Sequence, residues 1–122
     1  MKTIKKKVYV PLAVDFLHEG HINILKIAQK YGEVIVGLLT DEAIASYKSI
    51  PILNYKNREL LVKNLKYVSK VVPQTTDDYI NNLNKIKPDY LVHGDDWKYD
   101  NRKRIRTKVI KTLKKWSGKL IE

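Results

Sequence analysis

Cysteine is absent from the 122 residues. Disulfide staples and thiolate metal sites are therefore excluded, and any chemistry has to come from histidine, carboxylate, lysine and arginine. No apolar run approaches the roughly 20 residues of a membrane span. The charged start Met1-Lys2-Thr3-Ile4-Lys5-Lys6-Lys7 is not followed by a signal-peptide pattern. With no cysteine to suggest an oxidising compartment, the expected location is the cytoplasm. Repeats, low-complexity tracts and linkers are also missing, and a chain of this length buries one core rather than two, so a single domain spanning 1–122 is expected. Acidic residues are scarce, 13 against 24 Lys and Arg, for a formal net charge of +11. Such an excess attracts phosphate backbones, but lysine greatly outnumbers arginine, the residue favoured for base readout and bidentate phosphate contacts. Most of the excess reads as a solvated lysine surface, and nucleic acid is disfavoured as a partner. The densest basic run, Arg102 to Lys115, places Ile105, Val109, Leu113 and Trp116 at helical spacing, the pattern of a surface helix with one wet face.

Short apolar runs alternate with helical patterns. Strands are expected at Lys7 to Leu12, Val34 to Leu39, Val71-Val72 closed by Pro73, Tyr90 to Val92 and Leu120-Ile121. The first helix carries Ile22, Ile24, Leu25, Ile27 and Ala28 and ends near Tyr31-Gly32, where glycine suits a C-terminal cap. Thr40 or Asp41 can cap a short helix through Ala45. Tyr47 to Asn54 holds Pro51 and breaks the period, so it reads as a loop. Asn54 can cap a helix from Tyr55 to about Lys66 with Leu60, Leu61, Leu65 and Val68 facing inward, and Thr75 or Thr76 can open a helix over Tyr79 to Ile86 that Pro88 ends. This alternation predicts an α/β fold, a Rossmann-like doubly wound parallel sheet of about five strands with flanking helices, whose ligands bind beyond the carboxyl ends of the strands where strand order reverses.

Two motifs fall at that edge, His18-Glu19-Gly20-His21 after the first strand and Gly94-Asp95-Asp96-Trp97 after the fourth. Backbone N–H groups at a helix start have no internal partner and the macrodipole is positive there, so an anion is the natural guest. Two imidazoles at that place can stabilise charge on a phosphoryl group in transit, and Gly20 removes a side chain from its approach. Asp15 can orient an imidazole or help hold a divalent cation. Zinc is the competing reading of a histidine pair. The metalloprotease pattern, however, separates its histidines by three residues and adds a further ligand, whereas here two residues intervene and the other histidine in the chain is His93.

The stretch Val14 to His21 resembles the His-x-Gly-His signature of the nucleotidyltransferase superfamily. Leu39-Thr40-Asp41-Glu42, Tyr55-Lys56-Asn57-Arg58, Tyr67-Val68 and Gly94-Asp95-Asp96-Trp97 follow in the order seen in cytidylyltransferases related to glycerol-3-phosphate cytidylyltransferase. Ala43 to Lys48 with Pro51, and Lys87 to Trp97, are most similar to the cytidylyltransferase domains attached to phosphoenolpyruvate phosphomutase, which act in phosphonate biosynthesis. The resemblance implies an enzyme that transfers CMP from CTP to a phosphonate such as 2-aminoethylphosphonate, or alternatively to glycerol 3-phosphate or another phospho headgroup, with release of pyrophosphate. It implies Mg2+ with the triphosphate, a homodimer, and a fused or associated mutase. It makes His18, His21 and Lys48 catalytic and places Ala13, Val14, Asp15, Gly20, Arg58, Asp95, Asp96 and Trp97 around the nucleotide; metal ligands are not assigned. A non-catalytic basic binding or assembly domain is the alternative of another class.

Three departures stand out. Leu12-Ala13 replaces a small pair such as Gly-Thr. Lys48 is the single lysine of a loop that holds several in the glycerol phosphate relatives, which favours the phosphonate branch. The family's Gly-Ile-Ser-Ser-Thr-like segment, which helps hold the triphosphate, has no counterpart before Glu122, so weak or absent turnover is expected of the 122-residue chain. Robust pyrophosphate release from CTP and an acceptor would contradict that expectation.

Overall fold

The computed structural model describes residues 6–14, 17–46, 51–76, 78–94 and 102–122. Five parallel strands, β1 (Lys7–Leu12), β2 (Glu33–Leu39), β3 (Lys70–Gln74), β4 (Tyr90–Val92) and β5 (Lys119–Ile121), form one sheet in the order β3-β2-β1-β4-β5. The helices are α1 (Glu19–Gln29), α2 (Asp41–Ala45), α3 (Tyr55–Lys63), α4 (Ile80–Ile86) and α5 (Lys103–Leu113), the last followed by a 3-10 turn at Lys114–Trp116. The predicted doubly wound α/β architecture is present, and β1 and β4 flank the point where strand order reverses.

Both faces of the sheet are covered, so the central strands are apolar throughout. On one face Val8, Val10, Leu12, Val34, Val36 and Leu38 pack with Leu25 and Ala28 of α1 and Val62 of α3. On the other, Tyr9, Ile35 and Leu91 pack with Leu83 of α4 and Ile105, Val109 and Leu113 of α5. The basic helix thus buries its apolar stripe as expected, and Trp116 donates its indole N–H to the Pro88 carbonyl at 2.7 Å.

Five local expectations are corrected. Leu60 and Leu61 are 55% and 46% exposed, and the inward residues of α3 are Arg58 and Val62. The phase is set by Tyr55, Arg58, Val62 and Leu65, a seam in which a buried guanidinium takes a core position; Leu65 and Val68 pack against that core from beyond the helix end. Ile27 of α1 likewise faces solvent at 44% exposure. Pro73 lies inside β3 instead of closing it. The Gln74 carbonyl accepts from the Thr40 N–H, so neighbouring Pro73 turns its nitrogen to the outer edge of the sheet, where a missing N–H costs no ladder bond. The residue before α4 is Tyr79 in left-handed conformation, with Asp78 accepting from the Ile80 N–H, so neither Thr75 nor Thr76 is the cap. The cap of α1 is Lys30 in right-handed helical geometry; Gly32 comes two residues later, where a Cβ would collide with the Lys6 carbonyl.

A buried polar chain crosses the second face. Tyr9 donates its hydroxyl to Gln74 Oε1 at 2.5 Å and accepts from Asn82 at 2.9 Å, while Gln74 Nε2 reaches the Thr76 carbonyl at 3.0 Å. Gly37 makes room for it, because a Cβ there would overlap the Tyr9 hydroxyl. Burial pushes the Tyr9 phenol above its ordinary range, with the Asn82 hydrogen bond opposing. A phenol whose folded pKa exceeds its unfolded value of about 10 contributes stability that is fully present below about pH 10 and lost as the pH rises further. Tyr9→Phe is expected to cost about 1–3 kcal/mol at neutral pH by stripping Gln74 of its donor. In urea titrations the gap between wild type and variant should narrow above about pH 10.

Candidate active site

A cleft of about 380 Å³ opens at the carboxyl edge of the sheet, over the reversal point. Its floor is Val10 to Ala13 of β1 and its exit, with Leu39 and Val92; one wall is His18, Gly20, His21 and Ile24 at the start of α1, and the other is Tyr79, His93, Gly94 and Arg102.

The first wall is organised by a reciprocal histidine cap. His18 Nδ1 accepts from the Gly20 N–H at 3.0 Å, and His21 Nδ1 accepts from the His18 N–H at 3.2 Å. This is a capping box in which imidazoles occupy the positions that Ser/Thr and Glu/Gln usually fill. An accepting Nδ1 carries no proton, so the neutral rings hold their protons on Nε2. The ring centroids are 4.0 Å apart. Two Nε2–H donors are therefore carried side by side, the geometry suited to two oxygens of one phosphoryl group. A Cβ on Gly20 would come within 2.8 Å of His18 Cε1. A side chain at position 20 would therefore push the His18 ring out of its capping position.

Arg58 supports this wall from below. Its side chain is fully buried; Nε donates to the Leu53 carbonyl at 3.0 Å, Nη1 to the Ala13 and Leu39 carbonyls at 2.8 and 2.7 Å, and Nη2 to Asp41 Oδ1 at 2.7 Å. These bonds tie the exits of β1 and β2, the start of α2 and the approach to α3 into one node. Val14, next to the anchored Ala13, is 2% exposed and holds φ 53, a left-handed conformation that a β-branched residue adopts only under constraint.

A profile of the cytidylyltransferase-like family matches residues 14–121. The chain belongs to this family. Among cytidylyltransferase-like relatives, the ethanolamine-phosphate cytidylyltransferase of Dictyostelium discoideum is 38% identical over 95 residues, covering 74% of this chain and 26% of that protein. The FAD synthase of Aciduliprofundum boonei is 36% identical over 111 residues, covering 84% of this chain and 74% of that protein. The chain thus spans about a quarter of the first relative's length and about three quarters of the second's. The crystal structure of a lipopolysaccharide core biosynthesis protein from Thermoplasma volcanium superposes with a TM-score of 0.81 at 27% identity, covering 96% of this chain and 94% of that one.

Of the residues singled out in the sequence, His18, Gly20, His21 and Ala13 meet in the cleft. Val14 is buried beside it, and Arg58 lies beneath it, bonded to protein acceptors on four sides. Asp15, Lys48, Asp95, Asp96 and Trp97 lie outside the described residues. The second wall is only partly marked in the sequence: Gly94 opens the Gly94-Asp95-Asp96-Trp97 motif and His93 precedes it, whereas Tyr79 and Arg102 carry no motif. Among the described residues no group of three or more His, Cys, Asp or Glu is placed to hold a metal ion, and no helix is long and apolar enough to cross a membrane.

Arg58→Met is expected to lower stability by about 2–4 kcal/mol, chiefly because the Ala13 and Leu39 carbonyls lose their donor at roughly 1–3 kcal/mol for each buried group left unsatisfied; Asp41, 38% exposed, is left to solvent. Arg58→Lys should recover only part of that loss, because one ammonium cannot reach four diverging acceptors. Urea denaturation followed by circular dichroism measures both.

Proposed function

We propose that this protein is a nucleotidyltransferase that moves CMP from CTP onto an oxygen of a small phosphonate such as 2-aminoethylphosphonate, with glycerol 3-phosphate or another phospho headgroup as the alternative acceptor. The reading is carried by the reciprocal histidine cap, which holds two Nε2–H donors at a helix start lining the cleft. The acceptor oxygen attacks the α-phosphorus, a new P–O bond forms, and the bond to the bridging oxygen breaks, releasing pyrophosphate. His18 and His21 donate to the α-phosphate oxygens as charge builds on them, and the first N–H groups of α1 add the positive end of the helix.

Arg58 acts here as a positioning residue: by holding the Ala13 and Leu39 carbonyls it fixes the floor on which the nucleotide lies. Lys48 as a phosphate contact and Asp95, Asp96 and Trp97 as neighbours of the base come from the family resemblance. Magnesium usually keeps one or two carboxylates and fills its remaining positions with phosphate and water. The described cleft residues include no carboxylate and do not by themselves fit the ion.

A second reading is favoured by the fuller coverage of the FAD synthase relative: the same wall would then serve an adenine nucleotide. Calorimetry with CTP and with ATP, each with magnesium, separates the two, and tighter binding of CTP is expected. His18→Asn is expected to keep the cap, since asparagine is among the preferred N-cap residues, while losing the Nε2–H. Stability should then change by less than about 0.5 kcal/mol as product formation, followed by long-acquisition 31P NMR to register slow turnover, falls about a hundredfold or more. His21→Ala should lose a similar factor. Unaltered product formation in His18→Asn and His21→Ala would falsify the catalytic assignment.

A further inference from the structure

Charge is distributed unevenly over the helices. α1, α2 and α3 together carry as many acidic as basic side chains, whereas α4, α5 and the 3-10 turn after α5 carry no acidic side chain. α4 and α5 pack on the same face of the sheet. With Ile105, Val109, Thr112 and Leu113 turned to the core, a period of about 100° per residue places Lys103, Arg104, Lys108, Lys111, Lys114 and Lys115 on the outer arc of α5 and its turn, and all six are exposed. Among the described residues none of the six has a carboxylate partner. Glu122 is held by Arg106, on the flank beside β5, at 2.9 and 2.8 Å. Exposed Lys85 of α4 and Lys87 at its end extend the basic face.

This arrangement opposes the stability of α5 itself. Lys103 and Arg104 stand in its first turn, at the positive end of the macrodipole. Arg104 with Lys108, Lys108 with Lys111, and Lys111 with Lys115 are like charges three or four residues apart, which repel. Local rules broken in this way point to a role outside the helix. The cations of that row follow one another about 5–6 Å apart along the axis, within a Debye length of about 8 Å at physiological ionic strength, so a broad anionic surface meets them together. We propose that the face formed by α4 and α5 docks the protein on a bilayer surface rich in anionic lipid headgroups. Lysine supplies all of the six but Arg104, and a compact point charge suits dispersed headgroups, whereas nucleic-acid recognition favours the planar donors of arginine. The apolar stripe of α5 is buried against Tyr9 and Leu91, so the helix keeps no apolar face for the acyl region and the contact is electrostatic. Arg102, at the start of α5, lines the cleft, so a surface lying along the helix adjoins the cleft mouth. The inference does not depend on the nucleotidyl-transfer reading.

Co-sedimentation of the full chain with vesicles tests the docking. The protein should pellet with vesicles of equal parts phosphatidylglycerol and phosphatidylcholine at about 0.05 M salt, stay in the supernatant with phosphatidylcholine alone, and leave the anionic vesicles at about 0.5 M salt. Lys108→Gln/Lys111→Gln/Lys115→Gln should lower partitioning onto anionic vesicles at least tenfold, since each lysine adds its own attraction. Glutamine is a good helix former and relieves the repulsion, so this variant should stay folded by circular dichroism. Lys26→Gln/Lys56→Gln/Lys63→Gln removes the same charge from α1 and α3 and should lower partitioning less than about threefold. Equal losses in the two variants would assign the binding to net charge and overturn the proposal, as would no binding to anionic vesicles or equal binding to neutral ones. A DNA duplex added at equal charge concentration addresses the other polyanion: the protein should stay with the vesicles, and its transfer to the duplex overturns membrane docking in favour of a nucleic-acid surface.

Discussion

The contact on which the cleft depends is the buried guanidinium of Arg58. It bonds to three backbone carbonyls and one carboxylate, drawn from the exits of two strands, the start of α2 and the approach to α3. A charge in the interior is costly unless its donors are met, and here two of the acceptors are carbonyls at the exits of β1 and β2, which need a donor where the ladder stops. Each side resolves the other's deficit. The arrangement also holds Ala13 where β1 leaves the sheet, adjoining the left-handed turn at Val14 that starts the chain on its way to His18.

The strands were legible in the sequence because both faces of the sheet are covered, which makes central strands short continuous apolar runs. All five are present, four of them within a residue of the expected bounds, whereas β3 runs from Lys70 to Gln74 and not over Val71-Val72 alone. The phase of α3 was not, because counting apolar residues favours Leu60 and Leu61, and no periodicity rule assigns an arginine to the core. Pro73 was misjudged for a related reason: whether proline ends a strand depends on which way its nitrogen faces, and that follows from strand order. In the cleft, the histidine wall was visible because its residues are neighbours in sequence. Tyr79 and Arg102 of the other wall are brought there by topology from distant positions and leave no local pattern. The left-handed backbone at Tyr79 had no glycine or asparagine to announce it.

The same two imidazoles both cap the start of the first helix and line the cleft. Residues placed for function are commonly tolerated at a cost in stability, but His18 and His21 satisfy backbone donors that would otherwise lack partners at the start of α1. The bonds that fix the tautomer also hold the ring orientation, so the donors are pre-organised before a substrate arrives. This explains why a short His-x-Gly-His motif can be informative: its spacing satisfies helix geometry and presents two like donors together.

The outward turn of Pro73 bears on how the molecule behaves among its copies. A sheet with an open edge invites strand addition from neighbouring chains, the first step toward aggregation. Along β3 the proline removes an outward N–H, its carbonyl is already occupied by Asn82, and exposed Lys70 precedes it. At the opposite border β5 is only three residues long. A small, Lys-rich domain with an apolar sheet thereby keeps both borders poor templates for its own polymerisation.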